Sequence, residues 1–403
     1  MKVVHVATTD FGGAFKAVQR IQESIRLYDV QSDILVRSRS FATDTIEVMN
    51  TPTRRLLSKM RNFLNLILSH GEIVTDQFGA DLIRHPRIQE ADVIVLHWVN
   101  SFISDRGIRR MAGLKKPVVW VMHDMWVFTG GCHYDGNCGR YKDMCGHCPF
   151  LGSRWGKDIS YWNLKKKKEL FEKTKVSFVA ISRWEKECAL LSMPLRGKSV
   201  TWISNPLNID VFRPLNRRKL RQKYGIPDKK IILFGADKAL ENPTKGFQYL
   251  IEALRYLRGE EYHAVCFGKA PERQKLMAEN VAIEYLGTVT DESVLAEWYN
   301  IADVFVAPSL QEGFGYTVCE ALACGTPVAA FAVGGILDQI IHKENGYLAK
   351  LYDAEQLAEG IVFCAEHREQ LGVKGREQVI DHNSYKVIGS QYTHLFQQLT
   401  CRL

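Results

Sequence analysis

Apolar residues in this chain come in short, nearly unbroken runs separated by longer amphipathic stretches. MKVVHVAT, SDILVRS, DVIVLHW, PVVWVMH and VSFVAIS in the first half read as strands, as do KIILFGA, YHAVCFG, AIEYLG, DVFVAPS and TPVAAFA in the second. Several lack any polar alternation, the pattern of strands covered on both faces. The stretches between them, such as 246–257 and 291–301, have helical spacing. Alternating strands and helices imply right-handed crossovers and parallel sheets. Two prolines and two asparagines in SNPLNIDVFRP interrupt regular structure, so the expected domains are residues 1–204 and 205–385. The tail SYKVIGSQYTHLFQQL reads as an amphipathic helix, so residues 386–403 are expected to pack back on the first domain. The predicted fold is α/β, two Rossmann-like doubly wound domains facing across a cleft.

Composition narrows the function classes. With 403 residues, 46% hydrophobic and 24% charged, the chain is neither disordered nor low-complexity, and each half is long enough to bury a core. No run approaches the ~18 apolar residues of a spanning helix. The N-terminus reads as a strand and not as a secretion signal, so a cytoplasmic setting is expected. The net charge of +8 is concentrated in the first half. A basic half suits nucleic acid, an anionic membrane or a phosphorylated substrate, and is equally the mark of a solvated cationic face.

Two glycine-rich turns carry the candidate chemistry. Gly12 and Gly13 lie between the first strand and a helix starting near Phe15. Backbone N–H groups there could approach an anion, helped by the helix dipole, although a plain tight turn has the same sequence. Residues 308–335, PSLQEGFGYTVCEALACGTPVAAFAVGG, read as a strand end, a turn at Gly313-Phe314-Gly315, a helix ending at Gly325, and a further strand. Glu312 falls in the turn and Glu320 in the helix. The turn suits a phosphate, and the two carboxylates suit hydroxyl groups.

EGFGYTVCE resembles the E-x7-E motif of the retaining glycosyltransferases of family 4, which have the GT-B fold. ALACGTPVAAFAVGG, GTVTDESVLAEWYNIADVFVAPS, SNPLNIDVFRP and the N-terminal glycine loop resemble that family as well. The resemblance implies that Glu312 contacts the donor sugar and Glu320 the ribose, with the amides of Gly313, Phe314 and Gly315 lining the sugar-phosphate site. It also implies a basic pair after the first strand of the second domain. Lys245 supplies one member, but the family's Arg is missing and Lys238 is the candidate substitute. His123, in VVWVMHDMWVFTGGCHY, matches a family His near the transferred sugar. On residues alone, a lone His after a strand would more often be structural.

Ten cysteines are present, and four of them, Cys132, Cys138, Cys145 and Cys148, crowd into one loop. The loop resembles one found in a subset of these transferases. A structural zinc is one reading of it, and free thiols or a redox-dependent bridge are the others. No metal or other cofactor is expected in catalysis, because no Asp-x-Asp motif is present. Residues 53–72 place Leu57, Met60, Leu64 and Ile67 on one helical stripe beside Arg54, Arg55, Lys59 and Arg61, and Lys165–Lys168 add charge. Peripheral contact with the inner face of the cell membrane is set here against a core-packed helix with solvated lysines.

The expected activity is retaining transfer of a sugar from a UDP- or GDP-linked donor to a hydroxyl of a glycan or polyprenyl-diphosphate-linked acceptor, in bacterial surface polysaccharide assembly. Lys245, the Gly12-Gly13 loop and the 313–315 turn would stabilise the leaving diphosphate. A GT-B nucleotide-sugar epimerase and a zinc-bearing nucleic-acid-binding protein are the rivals. The first needs no acceptor, and the second leaves Glu312 and Glu320 unexplained. No nucleic-acid partner is expected.

Overall fold

A computed structural model describes residues 1–38, 46–48, 79–235, 242–259, 261–268 and 281–402. The chain forms two compact units, Met1–Pro206 with Ile388–Leu403, and Leu207–Val387. Both are α/β, each built on a parallel sheet.

In the first unit the strands are β1 (Lys2–Thr9), β2 (Gln31–Ser38), β3 (Ile46–Val48), β4 (Val93–Leu96), β5 (Val118–Val121), β6 (Val176–Ala180) and β7 (Val200–Trp202). They are ordered β3-β2-β1-β4-β5-β6-β7, with every neighbouring pair parallel. The order reverses between β1 and β4, so loops leaving their C-terminal ends flank the crevice where ligands bind in open α/β sheets. Val93–Leu96 and Val118–Val121 are buried throughout, as their unbroken apolar runs require. The edges of Trp120 and Phe178 both meet Phe171 on the helix Ile159–Glu172.

Local sequence sets many helix ends. Asp158 caps Ile159–Glu172 by accepting from the Ser160 and Tyr161 amides. Ser182 caps Arg183–Leu191 by accepting from the Glu185 amide, while Glu185 Oε2 accepts from the Ile181 N–H at 2.8 Å. These bonds satisfy amide donors that the first helical turn leaves without partners. The C-terminal helix Tyr385–Thr400 lies against the helix Gly13–Arg26, where a Cβ on Gly389 would come within 2.1 Å of the Ser24 carbonyl oxygen.

The second unit contains β8 (Lys230–Gly235), β9 (Tyr262–Phe267), β10 (Ala282–Tyr285), β11 (Val304–Ala307), β12 (Val328–Phe331) and β13 (Gly346–Ala349). Its order, β10-β9-β8-β11-β12-β13, is that of a dinucleotide-binding sheet, with the reversal between β8 and β11. The short strands β3, β7 and β13 are absent from the sequence reading. Each lies at the edge of a sheet and has only three or four residues, too few for a periodic signal.

Among the described residues no helix is long and apolar enough to cross a membrane. The amphipathic stretch 53–72 lies outside the described residues. The lysine run does not form a uniformly solvated face. Lys167 is buried, with Nζ donating to the carbonyls of Trp126 and Thr129 and lying over the Trp126 ring. Helical geometry turns one residue of the run inward while Lys166 stays exposed.

Candidate functional site

In the second unit, the loops after β8 and β11 bring together residues distant in sequence. Lys245 ends the single turn Pro243–Lys245, whose start Asn242 caps through the Thr244 amide. Gly246 follows with φ +69°, and a Cβ there would fall 1.8 Å from the Pro308 carbonyl oxygen. Only glycine lets this turn press so closely on the end of β11. The Leu310 N–H donates to the Thr244 carbonyl at 2.8 Å and ties the two loops together. Lys245 Nζ thereby reaches Glu312 Oε2 at 2.7 Å, in a half-buried ion pair. Ser309 Oγ lies 3.4 Å from the same oxygen.

The turn carrying Glu312 is braced from behind. The Gly335 N–H donates to the Glu312 carbonyl at 2.9 Å, and a Cβ on Gly335 would sit 2.2 Å from the Gly313 carbonyl oxygen. Gln339 Nε2 donates to the Phe314 carbonyl. The Phe314 side chain is buried, so this residue can offer a ligand only its backbone. The helix Tyr316–Ala323 starts directly after Gly315, placing its N-terminal amides beside the turn, a favourable position for an anion. Glu320 is buried in that helix, with Tyr299 Oη donating to its Oε2 at 3.1 Å. Structure thus joins Glu312, Gly313, Phe314, Gly315 and Lys245 in one loop cluster, with Glu320 on the adjoining helix. Lys238 lies outside the described residues. Sequence reasoning did not single out Ser309, Tyr299 or Gln339, because none has a motif of its own.

In the first unit, Gly12 and Gly13 open the helix Gly13–Arg26, and space is open where their Cβ atoms would stand. His123 follows β5. It stands at the end of a line of three imidazoles. His5 Nδ1 is 2.8 Å from His97 Nε2, and His97 Nδ1 is 3.0 Å from His123 Nε2. The rings are roughly stacked, with centroids 5.1 and 5.3 Å apart. Burial, reinforced by Arg26, pulls His5 down to about 3, and burial pulls His123 down to about 4. His97 is held well below the ordinary range by burial and its two imidazole neighbours. All three are neutral at physiological pH. His5 and His97 were not singled out from the sequence, since each looks like an isolated polar residue in an apolar strand.

Asp124, beside His123, accepts from Trp98 Nε1 at 3.2 Å, the Trp126 N–H at 2.8 Å and His133 Nδ1 at 2.8 Å. Burial alone would raise its carboxyl, but His133 and these bonds hold it below its usual range. Its oxygens are occupied in fixing the loop that starts at Met125.

In the loop that follows β5, Cys132, Cys145 and Cys148 are buried and Cys138 is half-buried. Among the described residues no group of three or more His, Cys, Asp or Glu side chains is arranged to hold a metal ion. Burial pushes Cys132 up to about 11 and Cys145 up to about 12, and burial also raises Cys148. As placed, Cys132, Cys138, Cys145 and Cys148 are free thiols.

Comparisons with known proteins agree with this architecture. Residues 228–367 match the family model "Glycosyl transferases group 1". A D-inositol 3-phosphate glycosyltransferase of Xylanimonas cellulosilytica is 36% identical over 163 residues, which cover 36% of this chain and 38% of the relative. An N-acetyl-alpha-D-glucosaminyl L-malate synthase of Bacillus anthracis is 26% identical over 50% of this chain and 54% of its own. The chain thus spans about half or less of the length of these curated relatives. Among solved structures, sucrose-phosphate synthase of Thermosynechococcus elongatus superposes with a TM-score of 0.69 over 100% of both chains at 19% identity. Anabaena HepE in complex with UDP and glucose superposes with a TM-score of 0.68 at 18% identity, over 99% of this chain and 100% of its own. The chain has the two-domain α/β fold of GT-B glycosyltransferases, and its second unit carries the match to the glycosyl transferases group 1.

Proposed function

We propose that this protein is a retaining glycosyltransferase that moves a sugar from a nucleoside-diphosphate donor to a hydroxyl of a glycan or polyprenyl-diphosphate-linked acceptor. Bacterial surface polysaccharide assembly, at the inner face of the membrane, is the setting that suits such an acceptor. The observation that carries the reading is the 2.7 Å Lys245–Glu312 pair on the loops at the reversal of the second sheet, next to the amides of 313–315. A cation, backbone amides and a carboxylate match the three parts of a donor: diphosphate, phosphate oxygens and sugar hydroxyls. Glu320, one helical segment away, is the partner for the ribose. That HepE was solved with UDP and UDP-glucose supports a uridine donor among those to test.

In the reaction, the bond from the anomeric carbon to the diphosphate oxygen breaks, and a bond to the acceptor oxygen forms on the same face. The acceptor's proton passes to the departing phosphate oxygen. Lys245 and the turn amides stabilise the charge that grows on that phosphate. In the first unit, the Gly12–Gly13 turn offers backbone N–H groups, and neutral His123 offers a hydrogen-bond donor.

Titration of UDP, GDP and ADP, and their sugars, into wild type, Glu320→Ala and Glu320→Gln tests the donor site. Binding of one nucleotide that weakens in both variants supports it, and failure of every nucleotide to bind overturns it. Donor turnover that proceeds equally without acceptor would instead favour an epimerase. A trapped covalent glycosyl-enzyme would replace the single-step mechanism.

A further inference from the structure

The three histidines of the first unit occupy one face of three adjacent strands. His5 is level with Val95 across the β1–β4 pair, and His97 stands two residues further along, on the same face. Its backbone is held on both sides, with its N–H donating to the Val6 carbonyl and its own carbonyl accepting from Trp120 Nε1. His123 continues the diagonal beyond the end of β5. The line therefore climbs from the core toward the C-terminal ends of β1, β4 and β5, across the point where strand order reverses.

A neutral imidazole carries one proton, on Nδ1 or Nε2. Three neutral rings joined by two hydrogen bonds can run in only two directions. In one, His5 Nδ1–H donates to His97 Nε2, His97 Nδ1–H donates to His123 Nε2, and His123 keeps its proton on Nδ1. In the other, every proton sits on Nε2. His5 Nε2 is fully buried and has no hydrogen-bond partner among the described residues. The second direction would place an N–H donor there, and buried N–H groups without acceptors are rare in folded proteins. The first direction leaves only an unused lone pair.

We propose that His5 and His97 are positioning residues, a one-way relay that fixes His123 as an Nδ1–H donor and denies it the role of general base at that atom. The orphaned nitrogen at the buried end thus decides what the other end offers to a ligand: a donor, suited to a sugar hydroxyl or a phosphate oxygen. Arg26 faces His5 from the helix Gly13–Arg26, and Asp124, itself held by His133, adjoins His123. Neither opposes the direction, since the three rings stay neutral across the working pH range. The role of the donor in sugar transfer rests on the reading above, whereas the tautomer does not.

Long-range proton–nitrogen correlation NMR on protein labelled with nitrogen-15 histidine reads the tautomer of each ring. Wild type is expected to show His5, His97 and His123 all protonated on Nδ1 near pH 7. His5→Asp places a carboxylate acceptor where Nδ1 stood and should turn His97 and His123 to Nε2–H. His5→Asn places an amide N–H where Nδ1 stood and should keep the wild-type pattern. An Nε2–H His123 in wild type overturns the proposal even if neither variant folds, and so does a pattern unchanged in His5→Asp. With a donor and acceptor in hand, kcat should fall in His5→Asp, with KM little changed, and be retained in His5→Asn. Absence of turnover in wild type would count against the transferase reading alone, because the spectra decide the relay independently.

Discussion

Lys245 and Glu312 are 67 positions apart, yet their side chains meet at 2.7 Å because two loops leave adjacent strands at the same end of one sheet. Without ligand, the cation suited to a diphosphate is held by the carboxylate suited to the sugar. On the proposed reading, donor binding exchanges this contact for two new ones, and substitutions of the pair test it.

Lys245→Met should weaken nucleoside-diphosphate binding by about 10- to 100-fold, the worth of a charge-assisted hydrogen bond of about 1.5–3 kcal/mol. Glu312→Gln should instead release Lys245 and tighten binding of the bare nucleoside diphosphate by up to about fivefold, while sugar transfer is lost. Calorimetric titration of both variants checks this. Equal weakening in both would mean that Glu312 contacts the nucleotide itself.

The turn that carries Glu312 depends on Gly335, since a Cβ there meets the Gly313 carbonyl oxygen at 2.2 Å. Gly335→Ala must push backbone against backbone and should cost about 1–3 kcal/mol, the usual penalty of overpacking. Donor binding should fall with it, because the turn moves. Thermal melts and nucleotide titration of this variant check both effects, and an unchanged melt with unchanged binding would contradict the geometry.

The buried histidines make the first unit acid-sensitive. Their folded-state values lie below the unfolded value of about 6.5, so at falling pH the unfolded chain takes up protons first. Stability should therefore drop from about pH 6.5 downward, through the values of about 4 for His123 and about 3 for His5. His5→Asn should flatten that decline. Denaturant melts from pH 7 to pH 4 measure it, and parallel curves for the two proteins would remove His5 from the account.

Glu185 acts at the other end of the scale. It is fully buried, and burial raises its carboxyl well above the ordinary range, more than the Ile181 N–H bond lowers it. The folded state thus holds a proton that the unfolded chain releases above about pH 4.3, and stability declines as pH rises from there until Glu185 itself ionises. Glu185→Gln should therefore stabilise the protein more at pH 8 than at pH 5. The same melts on this variant decide the point, and an equal effect at both pH values would contradict it.

Unbroken apolar runs such as VIVL at Val93–Leu96 and VFVA at Val304–Ala307 made the parallel sheets legible, because a strand covered on both faces has no polar face to alternate. The three-residue edge strand Val200–Trp202 was not legible, since so short a run has no period. At the site, Glu312 and Glu320 were legible because a glycine turn and a helix fix their spacing locally. Ser309, Tyr299 and Gln339 were not, because each reaches its partner only through packing. Charge counting placed Lys167 on a basic surface, whereas helical phase buried it under Trp126.

By itself, then, the sequence determined what lies within one turn or one strand: the α/β alternation, the glycine turns at 12–13 and 313–315, and the spacing of the two glutamates. Local backbone preference and hydrophobic periodicity act over a few residues, so a single segment encodes them. Tertiary structure alone decided which distant residues share a site. It paired Lys245 with Glu312, seated Gly335 beneath Gly313, and aligned His5, His97 and His123 across three strands. Those relationships follow from strand order and register, which arise only when non-adjacent segments pack into one sheet.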